Sequence, residues 1–321
     1  MKPLLATLLP LLTHALQNLI IDTDLFSDVD DAGALLLACT TPDISLLAVN
    51  VNYPSSYSAL AASAILAHYG QATTPVGATR PLTDEAFFDG WTFALGEYAS
   101  KGAWDAVGLY RRALAGSRDG VVVVSIGFLD NLSGLLNSTA DEHSPLSGPE
   151  LIAAKVSELV VMGGAYPAGY EYNFWGGNAS LAAHVVNSWE GRIVFAGYEL
   201  GVDVMTGARL MAEGPPGDPV RAAYTYYTYN TSRPSWDLLT VLYAMHGLGD
   251  VFEYGNPGGY NRVAANGSNV WVDDDSVRNQ HWLRLKVSEE EAAAELERRL
   301  LEGAWSAVRK TASRDNQTPD L

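Results

Sequence analysis

Five aspartates crowd into ten positions of the stretch LIIDTDLFSDVDDAGALLLA, at Asp22, Asp24, Asp28, Asp30 and Asp31. Carboxylates packed this closely repel one another, so the folded chain must give them a cation, protons or water. Asp30 and Asp31 stand just before Ala32–Gly33–Ala34, where a helix N-terminus favours negative charge. One or two aspartates would serve as a cap; five point to a hard cation held by oxygens. Ca²⁺ suits them best, because it accepts six to eight oxygens in irregular geometry. The spacing is not an EF-hand: Phe26 takes the third position counted from Asp24, and no Glu closes a twelve-residue loop. With no Cys or His nearby, a soft-metal site is excluded.

Three further stretches carry polar residues where apolar runs end. In VVVVSIGFLDNLSGLL a strand ends at Ile126–Gly127, exposing the Ile126 carbonyl as a candidate ligand. In VVMGGAYPAGYEYNFWGG, Met162 ends another strand ahead of Glu171, Asn173, Phe174 and Trp175. Hydrogen-bonding groups set among aromatic rings suit a sugar, which has polar hydroxyls and apolar faces. In SRPSWDLLTVLYAMHG, Asp237 opens an apolar helix with Trp236 directly before it.

These pieces need elements that bring them together. Short apolar runs at Leu19–Asp22, Ile44–Asn50, Val121–Ile126, Glu158–Met162 and Arg192–Ala196 read as strands. Helical patterns separate them at Ala32–Ala38, Ser56–Tyr69, Ala103–Ala115, Asn178–Trp189 and Trp236–His246. The alternation predicts a single α/β domain: a mostly parallel, Rossmann-like central sheet with helices on both faces. Ligands of such sheets bind at the carboxyl ends of the strands, where the polar stretches fall. Past the EGPPGDP loop the pattern turns irregular to about Asp275, before a closing helix over Ser288–Val308.

Residues 1–17 read as a secretory signal peptide, with one Lys, a short Leu-rich run and a small residue at Ala15. Residues 18–310 form the domain and 311–321 a flexible tail. Secretion also fits six Asn-X-Ser/Thr sequons, at Asn131, Asn137, Asn178, Asn230, Asn266 and Asn316. The single cysteine, Cys39, excludes an internal disulfide. A net charge of −17 argues against nucleic acid and anionic membranes as partners. No later run is long and apolar enough to span a bilayer.

Together, the four stretches resemble the inosine–uridine nucleoside hydrolase family. The match is to longer-loop variants with Asp-Thr-Asp, five residues, then Asp-Asp, and it covers nearly the whole domain in order. The resemblance implies hydrolysis of the N-glycosidic bond of ribonucleosides, with one Ca²⁺ at the strand ends. It implies metal ligation by Asp24, Asp31, Asp237 and the Ile126 carbonyl, and Asp24 as the base that activates water. Asp30, Asn52, Glu171 and Asn173 correspond to ribose-hydroxyl binders, with Met162 beneath the sugar and Asp22 in support. Trp236 stands where family members that prefer inosine and uridine commonly keep a proton-donating His. That departure implies purine preference, the indole stacking on the base and aiding its departure. A second aromatic wall is then expected from Phe87, Phe88, Trp91 or Trp175, and Asp28 has no assigned role. His281 is the best substitute proton donor by sequence. A nucleoside is the expected partner, and homo-oligomer formation is left open. Two other readings compete: a secreted Ca²⁺-dependent sugar- or nucleoside-binding protein without turnover, and an Asp-based Mg²⁺ phosphatase.

Overall fold

Apolar β-branched runs too short for helices become strands here, and the helices between them cover both faces of the resulting sheet. The computed structural model describes residues 16–26, 28–82 and 103–315, with side chains to residue 309. In chain order the strands are β1 (Gln17–Thr23), β2 (Ile44–Val51), β3 (Val76–Ala78), β4 (Trp104–Asp105), β5 (Val121–Ile126), β6 (Val156–Met162) and β7 (Ala168–Tyr170). There follow β8 (Ile193–Ala196), β9 (Met205–Thr206), β10 (Arg233–Pro234), β11 (Phe252–Tyr254), β12 (Tyr260–Val263), β13 (Ser268–Val272) and β14 (Gln280–Leu285).

Nine strands form one sheet in the order β11-β14-β8-β6-β5-β1-β2-β3-β4. All pairs are parallel except β11 with β14. The five expected strands are present. In β1, next to the central strand β5, Leu19 and Ile21 enter one core and Ile20 the other. The first core lies beneath the Asp30–Thr40, Ser56–His68, Trp236–His246 and closing helices. The second lies beneath the Ala106–Gly116, Asp130–Leu136 and Ala179–Ser188 helices. Register keeps the carboxyl ends level: Thr23 pairs with Val51 on one side and Ile126 on the other. The residues that follow those ends therefore open onto one rim.

Three expectations change. The stretch after the EGPPGDP loop is not irregular: Pro219–Thr228 is helical, with Pro219 in its first turn and the Asp218 carboxylate accepting from the Val220 and Arg221 amides. Beyond it, β12 and β13 pair with β7 in a small antiparallel sheet. The closing helix runs Glu289–Asp315, past Val308 and into the segment read as tail. Gln17 already belongs to β1, so cleavage after Ala15 would leave that strand whole. Residues 1–15 and 316–321, with the sequon at Asn316, lie outside the described residues, as do Phe87, Phe88 and Trp91. Among the described residues no helix is long and apolar enough to cross a membrane.

Candidate active site

A cavity of about 490 Å³ opens on the rim formed by β1, β5, β6 and β8. Asp24, Asp28, Asp30, Asp31, Ile126, Met162, Glu171, Asn173, Trp236 and Asp237 all line it. Chain positions more than 200 residues apart thus meet at one place. Asn52, expected at the sugar, does not line the cavity and lies behind the wall, beside Asp22, the expected supporting group, which is fully buried on β1. The Asn52 amide donates to Asp22 Oδ1, while its carbonyl accepts the Phe128 N–H at 3.1 Å. Asn131 also donates to Asp22 Oδ1, at 3.2 Å. Asn52 and Asp22 therefore brace the loop that carries Asp24.

Asp30, Asp31 and Asp237 can present oxygens all within 4.8 Å of one another. Ca²⁺ ligand distances of about 2.3–2.6 Å put oxygens of one shell up to about 5 Å apart, so the group fits such an ion. All three are buried. Burial raises each carboxyl above its usual range, and neighbouring charge adds to it: Asp28 acts on Asp30, Asp24 on Asp31, and Asp30 on Asp237. Asp24 lines the cavity outside this tight group, and Asp30 rather than Asp24 completes it. Asp30 is fixed from behind: its Oδ2 accepts the Trp236 and Asp237 backbone N–H groups, both at 3.1 Å. It thereby caps the helix that presents Asp237. Asp31 is held by the Thr23 hydroxyl.

Gly127 makes this packing feasible. A Cβ there would stand 2.5 Å from the Asp24 nitrogen, 2.7 Å from Asp24 Oδ1 and 2.8 Å from Asn52 Oδ1. Gly201 serves the opposite side, where a Cβ would meet the Trp236 nitrogen and Cα at 2.8 Å.

On the β6 side, Glu171 Oε1 accepts from the Asn173 N–H at 2.8 Å and Oε2 from the Gly164 N–H at 3.0 Å. Burial pushes the Glu171 carboxyl up to about 7, against these two bonds. The Asn173 amide donates to the Met162 carbonyl and sulfur at 3.2 and 3.1 Å. Two aromatic groups complete the lining. Tyr170 and Trp175 stack at 5.4 Å, with Tyr172 edge-on to Trp175 at 5.0 Å. Elsewhere on the lining Tyr198 stacks on Trp236 at 5.7 Å, and the indole Nε1 donates to the Tyr198 carbonyl at 2.7 Å. Trp175 is the one expected second-wall residue found here. Tyr170, Tyr172, Tyr198, Tyr227 and Arg233 escaped the sequence reading, because no local motif marks them and only the fold brings their separate elements to one cavity. Asp28 acquires a partner: Arg233 Nε donates to its two carboxylate oxygens at 2.9 and 3.2 Å. His281, on β14, stacks on Tyr254 and is absent from the lining.

The profile of the inosine-uridine preferring nucleoside hydrolases matches residues 19–305. The chain belongs to this family. Its fold is that of solved nucleoside hydrolases. The inosine-uridine preferring nucleoside hydrolase of Bacillus anthracis superposes with a TM-score of 0.62 and 16% identity, covering 89% of this chain and 99% of that one. The purine-preferring ribonucleoside hydrolase of Gardnerella vaginalis gives 0.66 and 17%, covering 90% and 99%. The type III effector XopQ, solved with adenosine diphosphate ribose, gives 0.66 and 16%, covering 90% and 94%. No curated protein matches the chain in sequence. Membership makes this nucleoside hydrolase an N-glycosyl hydrolase. The phosphatase reading also fails on geometry, since Asp22, the nucleophile it requires, has no exposed surface.

Proposed function

We propose that the protein is a Ca²⁺-dependent ribonucleoside hydrolase that prefers purines and yields ribose and free base. The observation that carries this reading is the convergence of Asp30, Asp31 and Asp237 with Asp24 on one aromatic-lined cavity. The oxygen-only donor set fits a hard cation: Asp30, Asp31 and Asp237 would hold it, with Asp24 and the Ile126 carbonyl at the same rim. Such an ion lowers the pKa of water in its shell and orients a vicinal diol.

The chain's own residues do the remainder. Asp24 takes the proton of the attacking water. Asn173 and Glu171 face the sugar hydroxyls and Met162 underlies the ring. The ring of carboxylates stabilises the positive charge that develops on the sugar as the base departs. Trp236, held at its nitrogen by the Tyr198 carbonyl, offers a fixed indole to a purine, and Trp175 with its tyrosines lines the cavity further. Secretion through residues 1–17 and glycosylation at exposed sequons such as Asn230 and Asn266 complete the reading.

Purified protein is incubated with inosine, guanosine, adenosine and uridine, with Ca²⁺ or with chelator. Ca²⁺-dependent release of ribose, faster from purines, supports the reading. Binding without ribose release would instead establish the turnover-free binding protein.

A further inference from the structure

Among the described residues that line the cavity, Arg233 is the single cation, facing six carboxylates. Its guanidinium is held on one edge: Nε and Nη2 both donate to Asp28. Its Cζ stands 5.5 Å from the ring centroids of both Tyr227 and Trp236. At that distance the cation lies over the indole, within cation–π reach of it. The other edge, Nη1, makes no hydrogen bond among the described residues, although a guanidinium offers five donors in a fixed fork. A charged donor with an open edge therefore stands beside the indole that the proposed function assigns to the base.

A departing base takes the bonding electron pair on its ring nitrogen, and that charge must be met. No histidine is among the lining residues described. We propose that Arg233 meets it, with Nη1 giving charge-assisted hydrogen bonds to the leaving purine as a fixed cation rather than a proton donor. This rests on the nucleosidase reading. The C1′–N bond breaks and its electron pair passes to the base. The oxygen of water bonds to C1′, and one of its protons passes to Asp24. Solvent then protonates the base anion and recovers the proton from Asp24, so nucleoside and water give ribose and base. Arg233 keeps its proton throughout. Burial alone would lower its pKa, but the bond and charge of Asp28 raise it above that of an ordinary arginine. Asp28, otherwise without a role, is the positioning residue that holds one side of the fork.

Arg233→Gln and Arg233→Lys are compared with the unaltered protein on inosine and on p-nitrophenyl β-ribofuranoside, whose phenolate departs without help. Loss of one charge-stabilising donor costs about 10²–10³ in kcat at comparable sites. Arg233→Gln is expected to lose about that on inosine and no more than about threefold on the activated riboside. Arg233→Lys should recover part of the inosine rate. The unaltered protein should hold its inosine kcat from pH 7 to 9.5, because a guanidinium does not titrate there. Equal losses on both substrates, or an unchanged inosine rate, would overturn the proposal alone. An unaltered protein that cleaves neither substrate would overturn the nucleosidase reading beneath it. If Arg233→Gln melts well below the unaltered protein, Arg233→Lys carries the same comparison with the charge retained.

Discussion

Raising the pH of the cation-free protein from 5 to 8 forces buried carboxyl groups to ionise inside the fold, and its thermal stability should fall. Burial lifts Asp22 from 3.8 to about 7 and Glu171 from 4.5 to about 7. Between the ordinary and the raised value the native chain holds a proton that the unfolded chain has released. Stability is therefore greatest at acid pH and is lost as pH climbs towards 7. Each such group costs up to about 1.4 kcal/mol per pH unit, so the pair costs up to about 5 kcal/mol between pH 5 and 7. At about 2 °C per kcal/mol for a chain of this size, Tm should drop by roughly 10 °C. Asp30, Asp31 and Asp237 push the same way. A cation bound to the native carboxylates opposes the fall, adding about 2.7 kcal/mol at a hundred times its Kd. The increment should be larger at pH 8 than at pH 5, because the ligands bind as carboxylates. Scanning calorimetry at pH 5, 6, 7 and 8, in chelator and in excess Ca²⁺, measures both effects. Asp237→Asn should shrink the Ca²⁺ increment. A Tm in chelator that stays level or rises from pH 5 to 8, or no Ca²⁺ increment at pH 8, would refute the reasoning.

Other outcomes follow from single residues. Asp24→Asn should lower inosine kcat by 10³-fold or more, since it removes the proposed general base; steady-state kinetics in saturating Ca²⁺ checks it. Gly127→Ala, whose methyl would press on the Asp24 backbone 2.5 Å away, should cost about 1–3 kcal/mol in urea unfolding and most of the activity. Trp236→Ala should reduce kcat/KM for inosine more than for uridine, while the Ca²⁺ increment in Tm stays near that of the unaltered protein. After expression through a secretory host, glycopeptide mapping should find sugar at Asn230 or Asn266 and none at Asn131, which is 3% exposed.

Much of this protein is legible along the chain because its physics is local. Short β-branched runs such as Val121–Val124 favour strands buried on both faces, and helical patterns between such runs favour a parallel sheet. The aspartates of Asp22–Asp31 identify themselves because so much like charge is intolerable without a partner. Local pattern fails where the partner is distant. Asp28 looked idle until the fold carried Arg233, 205 positions away, against it. Asn52 looked like a sugar ligand, yet the fold turns its amide back to Asp22 and Phe128. Asp30, not Asp24, joins Asp31 and Asp237, since the amides that open the Trp236–His246 helix seize its carboxylate. Which residue types do the chemistry was written in the sequence, because charge and hydrophobicity belong to each side chain alone. Which of them meet was decided by the tertiary structure, because hydrogen bonds and ion pairs depend on distances that only packing sets.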